Sequence, residues 1–303
     1  MLLRDDESEH NKSAAMPKTQ PDLFCPTFTD IAARDCGRAM EFPLFSLSKK
    51  PRKQPIEYES QDGIYVQVMP GYECGVATIW DADVLIWCVS QIVEARDRGL
   101  TASPVIQLIP YEILKATRRG VGGYDFRRLH DALCRLTQTT IKTNIVTGDS
   151  ERESQFHWLE GFDVRKVREH YREVTAVIPK WLFDGIMQPG GVLTLNPDYF
   201  SLTGGIDRWL YRIARKHAGN QRHGFKVRFS TLHEKSGSLA RRSDFAIKLR
   251  KAIVTNALPD YHLERTTTKD GAESLLVLPK SVGHARQIKS VIAELGEAMR
   301  VVV

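Results

Sequence analysis

The order of secondary-structure signals is the same in the two halves of the chain. Each half has a helix, a short strand, a second helix, a glycine-containing turn, a third helix and a β-hairpin, at residues 80–167 and again at residues 208–279. A helix-turn-helix followed by a hairpin is the pattern of a winged helix. We therefore predict an α+β fold with two tandem winged-helix domains.

The individual elements follow from hydrophobic spacing and from turn residues. Apolar residues at helical spacing predict helices, and alternating apolar residues on both sides of a turn predict hairpins at 139–167 and 261–279. The predicted helices span 80–99, 111–120, 124–136, 208–219, 231–237 and 241–256, and further strands span 64–69, 105–109, 172–179 and 225–230.

Four parts of the chain differ in composition and pattern. Residues 1–55 contain charge-rich stretches and prolines without a sustained period, which predicts a disordered N-terminal tail. Its end, SLSKKPRKQP (46–55), is a basic linker, interpreted either as a solvated tether or as an arm that contacts phosphates. We place winged-helix domain 1 at 56–190, winged-helix domain 2 at 191–280 and a C-terminal helical tail at 281–303.

One segment concentrates the positive charge. Residues 226–251 include eight Lys or Arg and two acidic residues, so this segment has the same surplus, +6, as the formal net charge of the whole chain. A basic surplus favours a polyanionic partner. Charge alone leaves a nucleic acid, an anionic membrane and plain solubility open.

The predicted helix at 241–256 has two distinct sides. At 100° per residue its apolar and polar residues fall on opposite arcs. The second helix of a helix-turn-helix needs an apolar side for packing and a donor-rich side for the major groove. A solvated surface helix would have a similar composition, because Lys and Arg are good helix formers. The apolar arc holds Phe245, Ala246, Leu249, Ala252 and Ile253, and the polar arc holds Ser243, Asp244, Lys248, Arg250 and Lys251.

We predict that the second domain contacts double-stranded DNA through this helix and its neighbours. Arg241 and Arg242 are the predicted base readers, because the planar arginine fork suits guanine, whereas lysine more often contacts phosphate. The other predicted contacts are Lys235 in the preceding helix, Ser243, Lys248, Arg250 and Lys251 in the helix itself, and Arg265 and Lys269 in the hairpin that follows.

The first domain has a weaker signal of the same kind. Arg127 and Arg128 face outward on the predicted helix at 124–136, and Arg118 and Arg119 precede it. These arginines predict either DNA contact or a protein interface, and the sequence leaves both open.

Signatures of a catalytic site are missing from the sequence. The segment GNQRHGFK (219–226) departs from the P-loop pattern, and the histidines form neither H-x-H nor H-E-x-x-H. We therefore predict no catalytic residues, no metal, no cofactor and no enzymatic activity. Five scattered cysteines without a C-x-x-C pair indicate a reducing compartment. Without a signal peptide or an apolar run of ~20 residues, we expect a cytoplasmic protein with no membrane partner.

Five segments between about residues 42 and 261 have a familiar order and spacing: ATIWDADVLIWCVSQIVEA, GVGGYDFRRLHDALCRLTQTTIKTNI, LTLNPDYFSL, DRWLYRIARKHAG and LHEKSGS. Together they resemble the replication initiator protein A family of bacterial plasmids, found largely in proteobacteria. The resemblance implies a pair of winged helices that bind repeated origin sequences (iterons) and help to open the adjacent duplex. It also implies recruitment of the host replication initiator and helicase, and it leaves monomer and homodimer open.

Three alternatives to a plasmid replication initiator remain. A winged-helix transcriptional repressor would use the same DNA contacts without opening an origin. A rolling-circle nicking enzyme needs a metal and a covalent tyrosine, and H-x-H is missing. A protein-interaction module would not bind duplex DNA. We expect an initiator without catalytic activity of its own.

Overall fold

A computed structural model describes residues 28–146, 153–167, 170–219, 221–283 and 285 of the chain. The helices are α1 (Ala82–Asp97), α2 (Pro110–Ala116), α3 (Gly123–Gln138), α4 (Lys180–Met187), α5 (Gly205–His217), α6 (Phe229–Ser236) and α7 (Arg242–Thr255), and a 3-10 helix spans Pro197–Ser201. The strands are β1 (Arg34–Cys36), β2 (Ile56–Glu59), β3 (Tyr65–Met69), β4 (Val105–Leu108), β5 (Thr140–Thr143), β6 (Ser154–His157), β7 (Gly161–Val167), β8 (His170–Val177), β9 (Val192–Thr194), β10 (Phe225–Arg228), β11 (Tyr261–Thr267) and β12 (Glu273–Pro279). Within these residues, no helix combines the length and the apolar composition needed to cross a membrane.

Two hydrophobic cores organise these elements. The first lies among α1 to α4 and two antiparallel sheets, with the strand orders β2-β3-β5-β6 and β4-β8-β7. The second lies among α5 to α7 and the antiparallel sheet β10-β12-β11. We call the elements around the first core unit 1 and those around the second unit 2. Helices packed on antiparallel sheets agree with the predicted mixed class.

Elements with a strong local pattern lie where the sequence predicts them. The helix predicted at 80–99 is α1, and the hairpin predicted at 261–279 is β11–β12, paired from Tyr261↔Pro279 to Thr267↔Glu273. Gly271 lies at the hairpin turn with φ +78°, a left-handed conformation that glycine adopts without a Cβ clash.

The hairpin predicted at 139–167 is wrong in its second half. β5 pairs with β6, but β6 ends at His157, and β7 pairs with β8 in the other sheet. Beyond the end of β6, Trp158 and Leu159 are both buried in the first core. A hydrogen bond from the backbone N of Leu159 to the carbonyl of Leu136 (3.3 Å) holds this turn against α3.

The predicted disorder of residues 1–55 is wrong for the part that the structure describes. β1 pairs with β9, and Phe42, Leu44 and Phe45 are buried. The ring of Phe45 stacks on Trp158 with 4.6 Å between centroids. This order comes from tertiary contacts, and an extended segment held in that way has no periodic signal in its sequence. Residues 1–27, and all of the predicted C-terminal tail after residue 285, lie outside the described residues.

The tether interpretation of residues 46–55 is also wrong. Backbone hydrogen bonds of 2.9 Å join Ser46 and Arg52 to residues 76–79 of unit 1. The guanidinium of Arg52 donates to the carbonyl of Gly237, which ends α6 in unit 2. The segment is therefore fixed to both units.

Helix α1 lies between the two units and is buried on nearly all sides. Asp83 of this helix, whose side chain is 1% exposed, accepts hydrogen bonds from Arg208 of α5 (2.7 Å) and from Arg119 (2.8 Å). A second buried pair joins Asp35 and Arg212 at 2.9 Å. Burial raises the pKa of Asp35, and the charge of Arg212 opposes this. Because an unpaired buried charge is costly, these pairs hold the two units in one arrangement.

Candidate nucleic-acid interface

The turn between α6 and α7 is closed by its own side chains. Gly237 ends α6 with φ +59°, and a Cβ at this position would lie 2.7 Å from Cγ2 of Ile56. The Oγ of Ser236 accepts from the backbone N of Ser238 (3.1 Å), and the Oγ of Ser238 accepts from the backbone N of Ala240 (3.2 Å). The serine-rich sequence thus satisfies backbone donors of the turn and sets the direction in which α7 begins.

Helix α7 has the two sides that its sequence predicts. Phe245, Leu249 and Ala252 are buried, and the ring of Phe245 packs edge-on against Trp209 of α5, with 6.2 Å between centroids. The opposite side has the donors that a helix in the major groove needs. Its exposed residues are Arg241 at the N-cap and then Arg242, Ser243, Asp244, Ile247, Lys248, Arg250 and Lys251.

Glu273 binds two of the predicted DNA-contact residues. It accepts two hydrogen bonds from Arg250 (2.9 and 2.6 Å), and its Oε1 lies 3.1 Å from Nε of Arg265. The hydrogen bonds of Arg250, with the charges of Arg250 and Arg265, hold the pKa of Glu273 below its usual value. The carboxylate therefore joins α7 to the β11–β12 hairpin and brings the cations of the two elements together.

The remaining cations of this surface differ in their partners. Arg242 forms an ion pair with Glu234 at 3.2 Å. The charge of Lys251 lowers the pKa of Asp207, which burial raises more strongly. Within the described part of the chain, Arg241, Lys248, Lys251 and Lys269 form no ion pair. These four cations of α7 and the hairpin tip are available to an external anion.

Lys235 points away from this surface. Its Nζ lies 3.3 Å from Oε1 of Glu41 and 5.7 Å from the ring centroid of Phe42, and its side chain is 20% exposed. Lys235 therefore joins α6 to the N-terminal segment, and the prediction that it contacts DNA is wrong because its charge is paired with Glu41.

The four arginines predicted in unit 1 separate into two pairs. Arg127 and Arg128 are exposed on α3, and the guanidinium of Arg128 lies 5.7 Å from the ring centroid of Tyr124. Arg118 donates to Asp198 and to a serine of the 3-10 helix, both at 2.8 Å. Arg119 is only 18% exposed because it pairs with Asp83. Arg118 thus joins the α2–α3 turn to the 3-10 helix, and Arg119 fixes the same turn to α1. Arg127 and Arg128 remain as candidates for an external partner.

Lys49 and Lys50 lie beside the candidate surface, although neither was among the individually predicted contacts. Both are exposed, and neither forms an ion pair with a residue that the structure describes. Lys49 lies 5.3 Å from the ring centroid of Trp80, and Lys50 lines a cleft together with Lys248 of α7. From sequence alone the run KKPRK leaves a solvated tether and a phosphate-contacting arm open.

Two comparisons with known sequences both match replication proteins. A family model described as "Replication initiator protein A" matches residues 34–263. A protein of Wigglesworthia glossinidia brevipalpis, provisionally named a replication protein, is 30% identical over 237 residues, which are 77% of this chain and 84% of that protein.

Solved structures with a similar fold include two crystal structures of domains 2 and 3 of RctB. Their TM-scores are 0.59 and 0.54, each at 12% identity. Both matches cover 80% of this chain, and they cover 98% and 96% of the RctB chains. At this level of identity the similarity concerns the fold alone.

Proposed function

Since the chain belongs to the replication initiator protein A family, as its sequence predicts, we propose that it is a plasmid initiator that binds repeated origin sequences in duplex DNA. It uses two winged helices, one with α6, α7 and the β11–β12 hairpin and one with α2, α3 and the β5–β6 hairpin. It helps to open the adjacent duplex, recruits the host initiator and helicase, and has no catalytic activity of its own.

The exposed cationic side of α7 is the observation that carries this proposal. Apolar residues hold the helix on unit 2, so that a donor-rich side with Arg241 at its start faces solvent. In a helix-turn-helix the start of the second helix contacts base edges in the major groove. Lys248 and Lys251 contact the phosphates beside this groove, and Lys269 at the hairpin tip contacts the adjacent minor groove or its phosphates.

Unit 1 provides the second contact with DNA. Arg127 and Arg128 lie on the exposed side of α3, whose opposite side is buried. Because the buried pairs of Arg208 with Asp83 and of Arg212 with Asp35 hold the units together, α3 and α7 keep a constant separation. We expect each DNA repeat to contain one contact site for α3 and one for α7, at a constant distance from each other.

Nuclease protection of plasmid DNA with purified protein tests the binding. We expect protection of a set of repeats near the gene for this protein, at concentrations that leave random duplex unprotected. Equal affinity for random duplex and for the plasmid origin would contradict the proposal.

The transcriptional repressor is the second candidate, since the same surface of α7 supports operator binding. Permanganate reactivity of unpaired thymines next to the protected repeats separates the two functions. Reactivity that depends on the protein supports an initiator, and protection without any opening, also in the presence of the host initiator, supports a repressor. A DNA adduct that survives denaturation would instead support a nicking enzyme.

A further inference from the structure

The basic segment at residues 46–54, which we call the strap, runs between the two candidate DNA-contact surfaces. On one side it lines a cleft against α3. Lys49 and Pro51 of the strap line this cleft together with Arg128 and Asp131 of α3. The strap therefore adds a cation next to the exposed arginines of unit 1.

On its other side the strap lines a second cleft, against unit 2. Lys50 and Pro51 lie in this cleft with Lys248 of α7 and with the α6–α7 turn from Gly237 to Ala240. Pro51 lines both clefts. The strap thus bridges the gap between α3 and α7, and it brings a lysine to each side.

The cations of the strap have two different roles. The guanidinium of Arg52 donates to the carbonyls of Gln54 (2.9 Å), Pro55 (2.6 Å) and Gly237. The ammonium of Lys53 donates to the carbonyls of Tyr72 (2.8 Å) and Glu73 (2.5 Å). Arg52 and Lys53 therefore hold the strap in place.

Lys49 and Lys50, in contrast, are not bound to a carboxylate within the described residues, and Lys49 lies 5.3 Å from the ring centroid of Trp80. Both are exposed, and among the described residues neither lies within ion-pair distance of a carboxylate. The backbone that carries them is already fixed by hydrogen bonds to residues 76–79. A lysine on a fixed backbone loses less conformational entropy on binding than a lysine on a mobile loop.

We propose that Lys49 and Lys50 of the strap bind backbone phosphates of duplex DNA between the sites contacted by α3 and α7. This inference rests on the proposed function, because it needs both helices on the same duplex. Contacts between lysine and phosphate do not read sequence, but they fix register and add affinity that depends on salt. The strap therefore strengthens binding to specific and random DNA alike.

The salt dependence of duplex binding tests the proposal. Each phosphate contact contributes a slope of about 0.9 to the plot of log affinity against log salt concentration. We expect Lys49→Gln with Lys50→Gln to make the slope less steep by about 1.8, and Lys50→Gln alone by about 0.9, on both origin and random duplex. Lys180→Gln is the matched control for the single variant, because it removes one exposed lysine on α4 and should leave the slope unchanged.

Ethylation interference locates the contacts. In the wild-type protein we expect ethylation to interfere at phosphates between the base pairs protected by α7 and those protected by α3. We expect this interference to be lost in the double variant.

The stability of the double variant is the control for folding. The strap is held by Arg52, Lys53 and backbone hydrogen bonds, so the double variant should keep the wild-type Tm. A lowered Tm would contradict this placement of the two lysines. A wild-type protein that binds no duplex would overturn the proposed function and this inference together. A wild-type protein that binds, with an unchanged slope in the double variant or with interference elsewhere, would overturn the strap alone.

Discussion

Glu273 neutralises part of the positive charge on the exposed surface of unit 2. One carboxylate binds both Arg250 and Arg265, so two predicted contacts are partly neutralised in the free protein. A phosphate that binds either arginine has to compete with Glu273. If this surface binds DNA as proposed, we expect the carboxylate to limit binding to any polyanion and to favour a site that also engages Arg241 and Lys248.

We expect Glu273→Gln to raise the affinity for random duplex and to reduce the preference for the origin, because it releases both arginines. Titrations of labelled origin and random duplexes at several salt concentrations measure this change. Glu160→Gln, which removes an exposed carboxylate of unit 1, is the control for net charge. A Glu273 variant that behaves like this control would contradict the role of Glu273.

The same carboxylate contributes to stability in a way that depends on pH. Since the pKa of Glu273 is lowered in the folded protein, its contribution is present above the unfolded value of about 4.3 and is lost as the pH falls through the folded pKa. The pair is half-exposed, so we expect Glu273→Gln to lower the free energy of unfolding at pH 7 by less than about 1 kcal/mol. Denaturant unfolding at pH 7 and below pH 4 should give a difference between wild type and variant that decreases at low pH.

Arg241 should contribute more to sequence preference than its neighbour does. Arg241 forms no ion pair among the described residues, whereas Arg242 is bound to Glu234. We expect Arg241→Ala to cost about 1–3 kcal/mol on the origin repeat and less on random duplex, as for a bidentate base contact. Arg242→Ala is the matched comparison and should cost less. An equal loss on both DNA sequences would mean that Arg241 contacts only the backbone.

At the scale of elements, α7 and the β11–β12 hairpin follow from local pattern. The apolar arc of α7 could be predicted because helical geometry alone puts Phe245, Leu249 and Ala252 on one side. The end of β6 could not be predicted, since it depends on Trp158 and Leu159 entering a core that is formed by distant segments. Local periodicity determines the face of an element, but tertiary packing determines where a strand ends.

The outward side of α7 should bind phosphates through its lysines. We expect Lys248→Ala with Lys251→Ala to weaken binding to origin and random duplex equally and to make the salt slope less steep by about one unit for each lost contact. The Arg241 variant provides the contrast, because its loss depends on sequence. An unchanged slope would remove both lysines from the interface.

At the scale of the whole molecule, the arrangement of the two units depends on buried ion pairs through α1. We expect Asp83→Asn to lower the free energy of unfolding by about 3–5 kcal/mol, because it leaves Arg208 and Arg119 without their common buried carboxylate. Asp198→Asn breaks an exposed pair with Arg118 and should cost less than about 1 kcal/mol. Denaturant unfolding of both variants checks this. Equal costs would mean that the buried pairs do not hold the units together.

The sequence by itself determined the helices, the second hairpin, the exposed side of α7 and the family, because these depend on local spacing and on ordered motifs. Only the tertiary structure decided which cations are available. Lys235 is neutralised by Glu41, which lies 194 positions away in the sequence, and Arg119 of the α2–α3 turn is neutralised by Asp83 of α1. Lys49 and Lys50 remain exposed on a strap that the sequence predicted as a tail. Ion pairs form between residues that folding brings within about 4 Å, and no local pattern encodes that distance.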